Sequence, residues 1–464
     1  MSSPEIPQPE SDKKGAFPTD LAPQSSAPKG NPRVWVFSTY FAEGLPYSIV
    51  RLLSSVYFTD VGAKESVIGY LNFLGIPWNF KFLWAPFLDI IGTKRLWLII
   101  VQVLITALTL VIAAVNLAFP SFASSPESSK YMLEGVALLL VVMAFLSATN
   151  DVASDGYYME GLPNPKDQAT FTGYRVFAYR LAMILVRSGI VASAAWAISI
   201  LTKINPNIDP LTAKYQGWFW AFCAAALSML IPTLLHIFKL PKIEQKRTKR
   251  ASVSEIFKKF EDAFVSYTKQ EKFLIIIVFI IFYKVGDEVL FSMSTPFLLR
   301  ELQLSKENFA WIGGLMGAFG AIAGASLGGV WIQKSGLKKA IWPLTLIMNL
   351  NIWAYVWLAW TRPMGTTTQG IATIAAVHTY EMFAGGMGTA VLTVYLLRTC
   401  SQEFKASHFA IGSAIMSLFG TFFGGYGGKF VEHFGYLNLY LLAFALTIPS
   451  MALLFVAPIK DEPK

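Results

Sequence analysis

Charged residues lie inside apolar segments long enough to cross a bilayer, and that placement constrains this chain more than any motif does. Windows of about 20 apolar residues match the roughly 30 Å hydrocarbon thickness of a membrane. Ionisable groups inside such windows are expensive, so they face a bundle interior or a water-filled path. Glu43, Arg51, Lys81, Asp151, Arg187, Lys284 and Glu381 all fall in windows of this kind. The pattern predicts an all-α polytopic membrane protein with a polar route through it, and hence a transporter. A chain of 464 residues with 54% hydrophobic and 14% charged residues is far from the composition of a soluble domain.

Hydropathy predicts twelve spans: 34–58, 67–89, 96–119, 132–157, 171–201, 217–239, 272–299, 309–331, 340–361, 368–397, 407–430 and 436–458. Residues 1–33 read as a disordered cytoplasmic tail without a signal-peptide core, and 459–464 as a second short tail. A linker at 240–271 separates a first six-helix bundle (34–239) from a second (272–458). From Lys239 to Lys272 the chain carries ten Lys or Arg against five acids. Within it, Ser252 and Glu255 have capping-box spacing, and Ile256, Phe257, Phe260 and Phe264 recur at helical intervals. This is an amphipathic helix, lying either on the inner membrane face or against the bundle. The basic excess places both termini and the linker in the cytoplasm, in a bacterial inner or plasma membrane. It also accounts for the net charge of +9 without nucleic acid. Each half has a short basic turn after its second span, at Asp89–Arg95 and Gly328–Lys339. Paired six-helix halves can rock around a central site.

Several polar residues are candidates for substrate or proton contacts. Glu43, Tyr47 and Arg51 follow one another at steps of four and form a stripe on the first span. Glu43 could take a proton and Arg51 an anionic ligand, or the two could belong to a packed ion pair. Asp151 and Asp155 share one helix face, an arrangement suited either to sharing a proton or to salt bridges with the next span. Arg175, Arg180 and Arg187 punctuate that next span. Arg175 and Arg180 are assigned to gating as counter-charges, and Arg187 to a deep anion site. Lys284, Asp287 and Glu288 could close an intrahelical network or couple proton release to helix movement, and Lys284 is also a substrate-binding candidate. Glu381 is a proton-site candidate and Tyr380 a substrate contact. Lys81, Asp89, Arg95, Lys334 and Lys338 are gate elements, with Lys81 also able to snorkel toward an interface. Pro77 and Pro86 should bend or loosen the second span.

Other features carry less chemistry. The glycine-rich stretches starting at Gly313 and Gly420 suit close helix packing and lack the Walker pattern. Cys223 and Cys400 read as free thiols, and the four histidines show no metal-ligand spacing. No nucleophile–base constellation points to an enzyme.

The segments FAEGLPYSIV (41–50), GIPWNFKFLWAPFLD (75–89), NDVASDGYYMEGLP (150–163) and GYRVFAYRLAMI (173–184) resemble AmpG-like muropeptide permeases and acetyl-coenzyme A transporters of the major facilitator superfamily. That resemblance implies a twelve-helix fold of two six-helix bundles, secondary transport without ATP hydrolysis, and often proton coupling. It carries onto Gly44, Leu45 and Pro46, the Lys81–Asp89 segment, and Asp151 with Asp155. Glu43 and Arg51 depart from the apolar first span of muropeptide permeases, so the solute is less constrained than the fold. The expectation is a monomeric, cofactor-free symporter that draws on a proton gradient, contacts lipid, and imports a polar, anionic solute, with anhydro-muropeptide foremost. Siderophore, acyl-coenzyme A or drug transport, including proton-coupled export, are the alternatives. A nontransporting sensor or scaffold is a further one.

Overall fold

The computed structural model describes residues 30–122, 126–243, 253–401 and 403–459. The predicted tails, save their innermost residues, and Ser252 of the capping box lie outside the described residues. What is described is helical: continuous or broken helical stretches cover 32–60, 65–90, Lys94–Phe122, Pro126–Gly161, 165–204 and Pro210–Lys239 in the first half. In the second half they cover 273–301, 306–335, 337–361, Thr368–Thr399 and Lys405–Ala445, with a last piece at Ile448–Leu453. Gly435, at φ +79°, turns the chain inside Lys405–Ala445 and so separates the eleventh stretch from the twelfth.

Among the described residues, seven helices are long and apolar enough to cross a membrane. The first, second, seventh and tenth stretches fall outside that set. They are the ones that carry Glu43 and Arg51, Lys81, Lys284 with Asp287 and Glu288, and Glu381.

Local chemistry explains the breaks. The first stretch starts at Asn31, whose side chain accepts from the Arg33 N–H at 3.1 Å, with Pro32 at the first helical position. Pro46, inside the helix, has no N–H to give to the carbonyl four residues back. That carbonyl, of Ala42, accepts instead from Asn150 Nδ2 of the fourth stretch at 3.2 Å. Asn150 Oδ1 accepts from Gln102 at 3.3 Å, Gln102 Oε1 contacts His236 Nδ1 at 2.6 Å, and His236 Nε2 contacts Ser38 Oγ at 2.9 Å. One buried polar chain therefore ties the first, third, fourth and sixth stretches together. In the second stretch, tight 3₁₀ turns at Leu71–Gly75 and Lys81–Leu83 interrupt the helix beside Pro77 and Pro86. The turn after the second stretch and the one after the eighth contain Gly92 and Gly336, at φ +78° and +79°. Both need the left-handed backbone that glycine adopts at no steric cost. The weak sequence echo between the halves is thus a repeated backbone geometry.

The buried core has three parts. One, holding Leu53, Tyr57, Phe297, Leu298 and Tyr440, runs through both halves. A second, with Ile276, Phe279, Leu337 and Leu392, belongs to the second half alone. A third, with Trp35, Tyr40, Leu98 and Tyr157, belongs to the first half alone. The halves meet where 54–60 lies on 294–301, 65–80 lies on the eleventh stretch, and 185–204 lies on 306–316. These seams sit toward the face opposite the linker, and small residues make them tight. A Cβ on Gly428 would fall 1.8 Å from the Glu65 carbonyl oxygen, and one on Gly69 would fall 2.7 Å from Gly428 N. The glycines of the eighth stretch do similar work within one half, Gly324 lying against the Phe383 carbonyl.

At the linker face the halves are divided, spanned by the helix Val253–Thr268. Its Phe260 stacks on Phe82 at 4.6 Å, while the Ala263 carbonyl meets His408 Nε2 at 3.1 Å. The helix is packed on the bundle and touches both halves.

Replacing Asn150 by Ala should lower stability by about 1–3 kcal/mol, because two buried groups lose their partner. Adding Pro46→Ala should recover part of that loss, since an alanine there regains the N–H that satisfies the Ala42 carbonyl. A double-mutant cycle on thermal unfolding in detergent checks the sign of the coupling.

Candidate functional site

The first half gathers five charged side chains from the first, second, fourth and fifth stretches. Asp151 and Asp155 lie one turn apart on the fourth. Lys81 Nζ pairs with Asp151 Oδ2. Arg175 reaches Asp155 Oδ1 at 2.8 Å, and the Tyr40 hydroxyl donates to the same oxygen at 2.8 Å. The Arg175 guanidinium also sits over the Tyr40 ring, 4.5 Å from its centroid. Glu43, only 6% exposed, lies within hydrogen-bonding reach of the Asp151 carboxyl. Its Oε2 is buried and meets no donor among the described residues. Beside this cluster opens a cavity of about 430 Å³ lined by Tyr40, Glu43, Tyr47, Arg175, Val176, Tyr179, Arg180 and Met183. That volume suits part of a small polar ligand.

The second half builds a similar cluster from different helices. Lys284 pairs with Asp287 one turn on. Glu381, 1% exposed, reaches the Asp287 carboxyl from the tenth stretch, and its Oε2 also meets no donor. Arg187 comes from the first half, on a widened helical turn at Leu185–Ile190. Its charge acts on Glu381 and Tyr355, and its guanidinium lies 5.8 Å from the Phe309 ring centroid. Tyr355 and His378 Nδ1 are hydrogen-bonded at 2.6 Å, leaving His378 Nε2 buried without a partner. Glu288 packs against Gly420, whose Cβ would fall 2.7 Å from Glu288 Cγ.

A third group of charges closes the face opposite the linker. Arg300, at the end of the seventh stretch, spreads its fork over the end of the first. It donates to the Thr59 carbonyl at 2.9 and 2.5 Å, to the Phe58 carbonyl at 3.3 Å and to Glu65 Oε1 at 3.0 Å. Those carbonyls belong to a helix terminus, which lacks intrahelical donors and carries partial negative charge. Asp60 receives Lys306 of the second half at 2.8 Å and Trp218 Nε1 of the first at 2.8 Å, and Lys214 donates to its carbonyl at 2.9 Å. In return Glu432 of the eleventh stretch accepts from the Ser66 N–H at 2.8 Å, in the first turn of the second.

The remaining sequence candidates are placed as follows. Tyr47 lines the first-half cavity and stands edge-on to Trp78 at 5.2 Å. Arg51 donates to the Asn72 carbonyl at 2.8 Å, in the tight turn of the second stretch, beside Gly75. Arg180 lines the cavity and approaches Met183 Sδ at 4.0 Å. Tyr380 is 50% exposed in an apolar cleft between the eighth and tenth stretches, on the other side of its helix from buried Glu381. Arg95 donates to the carbonyls of Leu240 and Ile237 at 3.0 Å each and so caps the sixth stretch. Lys334 and Lys338 are exposed at the linker face. Asp89 closes a helical turn, and its side chain lies outside the described residues. Tyr40, Asp60, Glu65, Arg300, Lys306, Tyr355 and His378 were not singled out in the sequence. Asp60, Glu65, Arg300 and Lys306 fall at span ends, where charge is ordinarily solvated. Tyr355 and His378 carry no formal charge that would mark them inside an apolar run. Among the described residues, no His, Cys, Asp and Glu side chains form a group able to hold a metal.

No protein-family model matches the chain. It is similar to the anhydromuropeptide permease of Escherichia coli K12, 28% identical over 424 residues that cover 90% of this chain and 77% of the relative. In structure it is similar to the inward-open xylose transporter XylE of Escherichia coli, with a TM-score of 0.65 at 12% identity, covering 93% of this chain and 96% of that one. It is also similar to a mutant of the nucleoside transporter NupG, with a TM-score of 0.64 at 16% identity, covering 92% and 99%. The chain has the all-α major facilitator fold and resembles the AmpG-like permeases over nine tenths of its length.

Removing the Arg300 fork takes the charged donor of the second half away from the Thr59 and Phe58 carbonyls and from Glu65. Arg300→Ala should weaken closure of this face by about 2 kcal/mol. A cysteine placed at Asn72 should then react with an impermeant maleimide roughly tenfold faster or more from that side.

Proposed function

We propose that this protein is a secondary transporter that imports a polar, anionic solute by alternating access, driven by protons, with an anhydromuropeptide as the first candidate. The observation that carries the reading is the division of the core. A single core joins the halves toward one face, while each half keeps its own core toward the other. A bundle closed at one end and parted at the other corresponds to one extreme of a rocking cycle about a central site. The basic linker assigns the parted face to the cytoplasm, which makes this the inward-facing state.

Solute recognition falls to the cations that no carboxylate neutralises directly. Lys284 pairs with Asp287, and Arg51 is spent on a backbone carbonyl. Arg180 and Arg187 have no carboxylate in salt-bridge contact among the described residues, and their planar forks suit a carboxylate group. Tyr47 and Tyr179, 5.9 Å apart beside Arg180, offer aromatic faces and hydroxyls to a sugar or peptide. Similarity to the anhydromuropeptide permease over 90% of the chain supports a solute that joins sugar, peptide and carboxylates. Carboxyl groups buried in both halves supply the proton-binding chemistry.

Uptake of labelled anhydromuropeptide into proteoliposomes tests the reading, with a siderophore and an acyl-coenzyme A as competitors. We expect saturable uptake, stimulated by a proton gradient acid on the side of entry. Arg187→Gln should raise the half-saturating concentration tenfold or more, in keeping with the roughly 1.5–3 kcal/mol of a hydrogen bond to a charged group. Failure of muropeptide to enter, or flux of another solute that muropeptide does not inhibit, overturns the substrate assignment. Uptake indifferent to the proton gradient overturns the coupling.

A further inference from the structure

The two charge clusters repeat one design. In each, a carboxyl on one helix meets a carboxyl on another: Glu43 of the first stretch with Asp151 of the fourth, and Asp287 of the seventh with Glu381 of the tenth. First and fourth in one half correspond to first and fourth in the other. In each pair the aspartate also holds a lysine, Lys81 or Lys284. In each pair the glutamate is more than nine-tenths buried and keeps one oxygen, Oε2, with no donor. The order is exchanged between halves, since the lysine-bound acid lies on the fourth helix in one and on the first helix in the other.

The charge count repeats as well. Around Glu43 stand Asp151 and Asp155 of the fourth stretch, Lys81 of the second and Arg175 of the fifth, with the Tyr40 and Tyr179 hydroxyls. Around Glu381 stand Lys284, Asp287 and Glu288 of the seventh, Arg187 of the fifth, Tyr355 of the ninth and Tyr440 of the twelfth. Three carboxyls and two cations leave each cluster one negative charge in excess when all are ionised. A buried excess charge and a donorless oxygen both cost several kcal/mol in a low-dielectric interior. One proton removes both problems, because a carboxyl–carboxyl hydrogen bond exists only when one partner carries a proton.

We infer that the protein has two proton-binding sites, one in each half, at the Glu43–Asp151 and Asp287–Glu381 pairs. The inference rests on the proton-coupled reading and adds to it the number and place of the sites. The two also differ in the origin of their cations. All the cations of the first site belong to its own half, whereas Arg187 crosses from the first half to the second site. Rocking of the halves moves Arg187 relative to Glu381 and leaves Lys81 and Arg175 with Glu43. The second site is therefore the one whose proton is exchanged with conformation, and the first holds its proton through the cycle.

Infrared difference spectra of the reconstituted protein, taken from acid to alkaline pH, test this without any solute. Two protonated-carboxyl bands are expected to disappear on titration, one absent in Glu43→Gln and the other absent in Glu381→Gln. Locking the inward-facing state with a cross-link between the halves should shift the titration of the Glu381 band only. Labelling of wild-type protein by dicyclohexylcarbodiimide, which attacks protonated carboxyls in apolar surroundings, should modify Glu43 and Glu381 and fade at alkaline pH. A Gln variant that leaves both bands in place, or labelling confined to other acids, overturns the inference. If both bands appear while uptake ignores the proton gradient, the two sites stand and the transport coupling falls. Gradient-driven uptake with a single band keeps the coupling and removes the second site.

Discussion

The structure depends on the way each half finishes the helix ends of the other. A helix terminus leaves backbone groups with no partner, and these must be satisfied wherever water is scarce. Arg300 of the second half serves the carbonyl end of the first stretch, and Glu432 serves the N–H end of the second. Lys306 adds its charge to Asp60 beside them. Because these groups face both one another and solvent, either arrangement satisfies them: paired across the seam, or hydrated when the seam parts. That near-equivalence is what the proposed alternating access requires, since it would let the halves separate at modest cost. The apolar contacts beneath, including the close Gly69–Gly428 approach, tighten the closed form without locking it covalently.

The charges within the spans follow a stricter rule. Lys81 with Asp151, Lys284 with Asp287 and Arg175 with Asp155 are held within one half. They travel as rigid parts, so movement between halves does not expose an unpaired charge inside the membrane. Away from the span ends, Arg187 is the charge that reaches from one half to the other, and it lies on a widened turn that already departs from regular helix. Irregular backbone, a cation without a direct carboxylate partner and a donorless glutamate oxygen meet at one seam. Such a concentration of incompletely satisfied groups is in keeping with the proposed solute and proton sites.

Much of this was legible in the sequence. Hydropathy located the twelve helical stretches, since burial in lipid demands a fixed length of apolar helix, but the fourth, fifth and sixth begin six or seven residues before the spans it marked. Asp151 with Asp155 and Lys284 with Asp287 were readable as helix-face neighbours because their spacing is local. The basic residues that answer them were nameable only as a set. Whether Arg175, Arg180 or Arg187 takes Asp155 depends on how the fifth stretch is rotated against the fourth, which spacing does not encode. The roles of Asp60, Glu65 and Arg300 were hidden for the opposite reason. Charges at span ends are ordinarily solvated, and only the apposition of two distant helix ends turns them into a closure.

The sequence by itself determined the class of molecule: an α-helical membrane bundle in two related halves, carrying charges that apolar packing does not explain. These properties follow from composition, period and the hydrogen-bonding demands of a bilayer, all of which are local. Tertiary structure alone decided the pairing of Glu43 with Asp151 and of Asp287 with Glu381, the crossing of Arg187 between halves, and which face is closed. Those outcomes depend on contacts between residues far apart in the chain.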